Sequence, residues 1–170
     1  MEIIVLRLVH IVCGTVWAGS AVFSTVLLVP TLAKLGPAGA PVMAGLRERG
    51  LFLIMPTMAL LTILSGTRLM GIVSGGFDAS WFNSVRGSTY AWSGLAAIVA
   101  FVLSLAVSGP LGARIAGLGG ELAGATDATT RAALAQKLAG AQKWMSALGL
   151  VVTVLLVISA AGMSVARYLS

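Results

Sequence analysis

Four long stretches of this chain contain no Lys, Arg, Asp or Glu. They lie between Arg7 and Lys34 (26 residues), Arg49 and Arg68 (18), Arg86 and Arg114 (27), and Lys143 and Arg167 (23). A hydrocarbon core of roughly 30 Å is crossed by about 20 apolar residues of helix, each rising about 1.5 Å. Each window therefore matches or approaches a membrane span. The apolar residues form continuous runs instead of the alternation a barrel strand would show, and a helix satisfies its own backbone hydrogen bonds in lipid.

The expected fold class is all-α: an integral membrane four-helix transmembrane bundle with antiparallel up-down topology, one transmembrane domain over residues 1–170. The helices are expected at about 3–30, 50–74, 88–109 and 142–168. Pro30 is expected to end the first and Pro110 to stop the third, because proline lacks the N–H and clashes with the preceding turn. Pro56 falls in the first turns of the second helix. The longest link, 111–141, has an Ala-rich part from Thr129 to Gln142 that reads as helical and able to continue into the fourth span. No sequence repeat stands out, although two helix pairs joined by a longer link leave a pseudo-duplicated bundle open.

Composition agrees. Only 9% of the 170 residues are charged and 58% are hydrophobic, against about 25% charged in a soluble domain, and the mean hydropathy is +1.02. The formal net charge of +6 does not mark a nucleic-acid binder, because the eleven basic residues are scattered between apolar blocks. They act as topology signals. The first and third links carry Lys34, Arg47, Arg49, Arg114, Arg131, Lys137 and Lys143, seven in all; the other side carries Arg7, Arg68, Arg86 and Arg167, four. The positive-inside rule then places both termini and the second link on the outer side. The simple topology and the absence of a transit signal point to a bacterial inner (cytoplasmic) membrane. The outer link, Gly75 to Ser88, holds Phe77, Trp81 and Phe82, with Tyr90 and Trp92 just after it, and reads as an interfacial aromatic anchor.

Candidate chemistry centres on His10, the one histidine. It lies about seven residues, on the order of 10 Å, inside the outer end of the first span, and ionisable residues at such depth face the bundle interior. Gly14 and Trp17 share its stripe, and Cys13, the one cysteine, is a turn away. One reading is that His10 is an axial imidazole for haem, with Gly14 leaving room for the flat ring. The other is that His10 bonds to a hydroxyl or carbonyl on another helix while Gly14 and Ala18 permit close packing. Antiparallel threading would bring Arg68, Tyr90, Trp92, Met163 and Arg167 to the same layer. Arg68 and Arg167 would suit haem propionates and Met163 a second axial ligand; equally, both arginines would snorkel or pair with Glu2 and Asp78. Copper is a rival metal, with Cys13, His10, Met70 and Met163 as soft donors. No phosphate loop, intramembrane carboxylate pair or serine triad is present.

The first span, Leu-Val-His10-Ile-Val-Cys-Gly-Thr-Val-Trp17-Ala-Gly19 and onward to Val-Pro30, resembles that of small copper-resistance-D-like membrane proteins. It is also similar to the four-helix membrane protoporphyrinogen oxidases, whose first helix has a histidine, a tryptophan seven residues later and a nearby glycine. The second span, ending Leu-Ser-Gly66-Thr-Arg-Leu-Met-Gly, and the aromatic link extend the resemblance over roughly the first hundred residues. It implies haem ligation by His10. Those oxidases carry a functional lysine at the start of the third helix, where this chain has Tyr90-Ala-Trp92-Ser, so the expectation is a relative without the oxidase activity. Three roles follow: a b-type haem protein for electron transfer or haem handling; a non-catalytic accessory subunit docking against other membrane subunits or as a homodimer; or copper handling.

Overall fold

The computed structural model describes residues 1–169, the side chain of Pro37 excepted, and its regular structure is entirely helical. Six helices follow in order: α1 Glu2–Leu35, α2 Ala40–Glu48, α3 Leu51–Val73, α4 Ala79–Phe82, α5 Val85–Gly124 and α6 Ala128–Ala166. A short 3₁₀ turn, Gly36–Gly39, joins α1 to α2. Helices α1, α3, α5 and α6 are long and apolar enough to cross a membrane. Three begin on side-chain caps that satisfy first-turn amides. Asp78 accepts from the Ser80 N–H at 3.1 Å, Ser84 from the Gly87 N–H at 3.0 Å and Asp127 from the Thr130 N–H at 2.7 Å.

Helix α1 packs chiefly along α3, and α5 along the length of α6; α1 against α6 and α3 against α5 complete the ring. The core joins Trp17 to small and aliphatic residues. Trp17, Ala59, Ala97, Ala100, Val152 and Leu156 form its buried cluster, flanked by half-buried Ala18, Ala21 and Phe101. Large apolar side chains point outward instead: Leu8, Ile11, Leu53, Trp92 and Trp144 are all more than 60% exposed. A water-soluble protein would not display such a surface. In lipid it is the ordinary arrangement, with small residues between helices and bulky ones toward the acyl chains.

Two expectations fail at the prolines. Helix α1 does not end at Pro30 but runs to Leu35, and α5 does not stop at Pro110 but runs to Gly124. The cause is the same in both. Each proline is preceded by a single π-helical stretch, Ser24–Leu28 before Pro30 and Ser104–Ser108 before Pro110, closed by the Val29 N–H on the Ser24 carbonyl and the Gly109 N–H on the Ser104 carbonyl. The wider turn gives the ring the room that an α-turn denies it, and the helix resumes beyond. Gly14 and Gly94, Val22 and Val102, Ser24 and Ser104, and Pro30 and Pro110 all recur at one offset along α1 and α5. The π-turn and proline thus stand at matching places in α1 and α5.

The helix of the fourth span begins at Ala128, ahead of 142, because the Ala-rich segment from Thr129 onward is helical and continuous with it, the continuation the sequence left open. At 40 and 39 residues, α5 and α6 reach about 60 Å, twice the hydrocarbon thickness. Their adjoining ends form a helical hairpin closed by Leu111, Ile115, Leu118 and Leu122 on α5 and Leu134, Leu138, Ala141 and Met145 on α6, all half-buried or buried.

Candidate functional site

His10 sits in the seam between α1 and α3. Its Nδ1 lies 2.8 Å from the backbone carbonyl of Thr62. A carbonyl only accepts, so Nδ1 donates to it and Nε2 is the nitrogen not engaged in that bond. The ring fits because residue 66 is glycine: a Cβ there would stand 2.6 Å from Cε1 and 2.9 Å from Nδ1 of His10. Glycine inside a helix costs about 1 kcal/mol relative to alanine. Its presence at an interior position was therefore a sign of close approach that the spacing around His10 alone did not reveal.

The other residues singled out from the sequence take separate places around the bundle. Gly14 faces the same seam, but the space above it is filled by α3: a Cβ on Gly14 would meet Thr62 Cγ2 at 3.3 Å. Trp17 is buried at the centre, edge-on to Phe101 with ring centroids 6.3 Å apart. Arg68 pairs with Glu2 at 2.7 Å at the exposed end of the seam, both side chains near 60% exposed. Met163 is half-buried on α6 and Cys13 is buried one turn from His10 on α1. Arg167 lies over the ring of Tyr168, 4.5 Å from its centroid, while its carbonyl accepts from Arg86 Nη2 at 2.8 Å. No group of three His, Cys, Asp or Glu residues converges among the described residues.

The aromatic link is more ordered than a loose anchor. Trp81 stacks on Tyr90 at 6.2 Å and meets Phe82 edge-on at 5.0 Å, and Phe77 stacks on Phe82 at 6.5 Å. Phe77 adopts a φ of 66°, a conformation rare outside glycine. It is held there by its N–H on Ser74 Oγ at 2.8 Å and by its ring lying over Gly71. Trp92, by contrast, is 71% exposed and faces outward.

A second polar contact was missed by reading the sequence. Thr25, in the π-turn of α1, lies 2.8 Å from Thr153 Oγ1 on α6, and Thr153 donates to the Ala21 carbonyl at 3.2 Å. Thr25 also reaches the Gly149 carbonyl at 3.4 Å, so with Thr153 donating to Ala21 the single Thr25 proton is shared between Thr153 Oγ1 and that carbonyl. Met55 and Met58, half-buried on α3, also stand in a Met-x-x-Met spacing. Thr25 and Thr153 are 128 positions apart, and nothing in either local sequence pairs them.

The arrangement offers one imidazole nitrogen with its ring fixed from behind, and little else that is reactive. Metal-ligating histidines usually donate their other ring N–H in this way, and so do histidines that only brace two membrane helices. No protein-family model, no curated protein and no solved structure matches the chain.

Proposed function

We propose that this protein is a non-enzymatic membrane protein that holds a b-type haem through Nε2 of His10, for electron transfer or haem handling. The observation that carries this reading is the Nδ1 contact to the Thr62 carbonyl at 2.8 Å, which fixes the tautomer and aims the opposite nitrogen. Bound haem would supply a one-electron couple tuned by its axial ligand. The chain's part is to hold the imidazole against Gly66. Arg68 would take a propionate: its pair with Glu2 is exposed, so exchanging that carboxylate for a propionate changes the energy by no more than about 1 kcal/mol. Gly14 is not the seat of the ring, because Thr62 occupies that space.

The reading includes an antiparallel up-down bundle with both termini and the α3–α5 link on the outer side of a bacterial inner membrane. Contacts between opposite ends support the threading: Glu2 with Arg68, His10 with Thr62, and Thr25 with Gly149 and Thr153. The seven-to-four division of Lys and Arg supports the sidedness. Detergent-purified protein supplied with haemin should develop a Soret band that Arg131→Gln keeps and His10→Ala removes, with added imidazole restoring it. Wild-type protein that stays colourless, folded and monodisperse with haemin present would overturn it.

A second reading, an accessory subunit of a larger membrane complex, is favoured by a different observation. Gly14 is used in packing against Thr62 and Arg68 in pairing with Glu2, so the seam is complete without a ligand. Colourless protein that co-purifies with other membrane subunits would select this reading. Stoichiometric copper lost on changing Cys13 or Met163 would select copper handling instead.

A further inference from the structure

Near the end at which α1 finishes, α1 and α6 part around a cleft of about 160 Å³. Val29, Pro30 and Ala33 line it from α1, Met145 and Gly149 from α6, and the hydroxyl residues Thr25 and Ser146 complete it. The cleft follows from local chemistry. The π-turn widens α1 just before Pro30, and Gly149 presents no side chain opposite: a Cβ there would only touch Thr25 Oγ1 at 3.5 Å. Five of the seven lining residues are apolar. Water occupies about 30 Å³ per molecule in the liquid, so the space holds only a handful of such groups. It suits the beginning of a hydrocarbon chain and is far too small for a porphyrin.

Charge identifies what belongs there. Lys34 follows Pro30 by one helical turn and Lys143 precedes Ser146 by one turn, and both lysines are exposed. Arg7 and Lys34 are 27 residues apart and Lys143 and Arg167 are 24 apart. Those separations correspond to about 40 Å and 36 Å of helix, close to the full bilayer of about 40–45 Å. Lys34 and Lys143 therefore share one headgroup layer, at the mouth of a cleft that runs from there into hydrocarbon.

We propose that this cleft is an interhelical site for one anionic phospholipid. Lys34 and Lys143 bracket its phosphate, and the first part of one acyl chain lies along Val29, Pro30, Ala33, Met145 and Gly149. Two cations at the mouth select an anionic headgroup over a zwitterionic one, each worth on the order of 1 kcal/mol near a headgroup surface. The inference rests on the membrane-spanning helices and is independent of any ligand on His10.

Native mass spectrometry of the full chain in a mild detergent, supplied with equal amounts of phosphatidylglycerol and phosphatidylethanolamine, provides the test. Wild-type protein is expected to retain one phosphatidylglycerol in preference. Lys34→Gln with Lys143→Gln should lower that retention about tenfold to thirtyfold. Ala33→Leu, which fills the cleft with both lysines kept, should lower it as well, while Arg131→Gln, a charge loss on the hairpin away from the cleft, should not. Circular dichroism of each variant establishes that its helices remain. Equal retention of the two lipids by wild type, unchanged retention in the double lysine variant, or an equal loss in Arg131→Gln would overturn the proposal.

Discussion

The ring of His10 occupies the place that a side chain on residue 66 would need, since a Cβ at Gly66 would stand 2.6 Å from Cε1. Gly66→Ala is therefore expected to push the imidazole off α3 and break its bond to the Thr62 carbonyl. The expected loss is about 1–3 kcal/mol, the usual range for overpacking a close contact. In a His10→Ala background the added methyl has room, and most of that penalty should vanish. Reversible unfolding in mixed detergent micelles, arranged as a double-mutant cycle, measures the coupling. An equal penalty in both backgrounds would mean that the ring does not rest on residue 66.

The pair Thr25 and Thr153 makes a second cycle possible. With the hydroxyls 2.8 Å apart and Thr153 donating to the Ala21 carbonyl, Thr153→Val should cost roughly 1 kcal/mol, in the range measured for interhelical hydrogen bonds in membranes. Thr25→Val added to it should cost less than it does alone, because Thr25 has then lost Thr153 and keeps only the longer 3.4 Å contact to the Gly149 carbonyl. Strictly additive losses would show that the two hydroxyls act separately.

The spans were legible because one large energy dominates them: an ionised side chain in hydrocarbon costs several kcal/mol, so long gaps in Lys, Arg, Asp and Glu mark the helices whatever else they contain. The ends were not legible at Pro30 and Pro110. The stop rule for proline assumes α-helical geometry, and a single π-turn escapes it. At the site, the depth of His10 correctly suggested a residue facing inward, and Glu2 was a foreseeable partner for Arg68. Gly14 showed how a pattern runs out. A small residue one turn from His10 says that something approaches closely, and only the tertiary structure says that it is Thr62 of α3. Thr25 and Thr153 lie on the first and last helices, and no local signal joins them.

Outside the membrane, Asp127 links the start of α6 to pH. Hydrogen bonds from the Thr130 hydroxyl, and then from the Thr130 N–H that its carboxylate accepts at 2.7 Å, hold its pKa below the ordinary 3.8. A carboxylate with a lowered folded-state pKa contributes stability that is present above the unfolded value and lost as pH falls through the folded one. The first turn of α6 should therefore fray progressively as the pH falls from the ordinary carboxylate range through that lowered pKa. Hydrogen exchange at residues 129–132, corrected for the intrinsic rate, should accelerate there in the wild type. Asp127→Asn retains an oxygen cap and should remove that acid-dependent acceleration. Persistence of the same pH profile in Asp127→Asn would assign it to another group.

The two proline-linked π-turns make opposite predictions, because different things hold the helices beyond them. Relaxing a π-turn to α rotates everything that follows by about 100° and gains at most about one backbone hydrogen bond, worth about 0.5–1.5 kcal/mol net. Beyond Pro110, α5 is locked on α6: Leu118 is buried, Leu111, Ile115 and Leu122 are half-buried, and Gly112 lies against Met145. Turning that face away would forfeit about 1.5–3 kcal/mol for each fully buried large side chain, so packing outweighs the hydrogen bond and Pro110→Ala should keep its π-turn. Beyond Pro30, the segment Val29–Leu35 has no buried residue, so little opposes the rotation and Pro30→Ala should relax. Cysteines placed singly at 31–35 and at 111–123 and probed with a water-soluble or membrane-permeant thiol reagent would report the rotation, with Cys13 replaced by serine as background. The accessible positions should shift around α1 in Pro30→Ala and stay unchanged around α5 in Pro110→Ala; a shift in α5 would show that the proline, and not the packing against α6, sustains its π-turn.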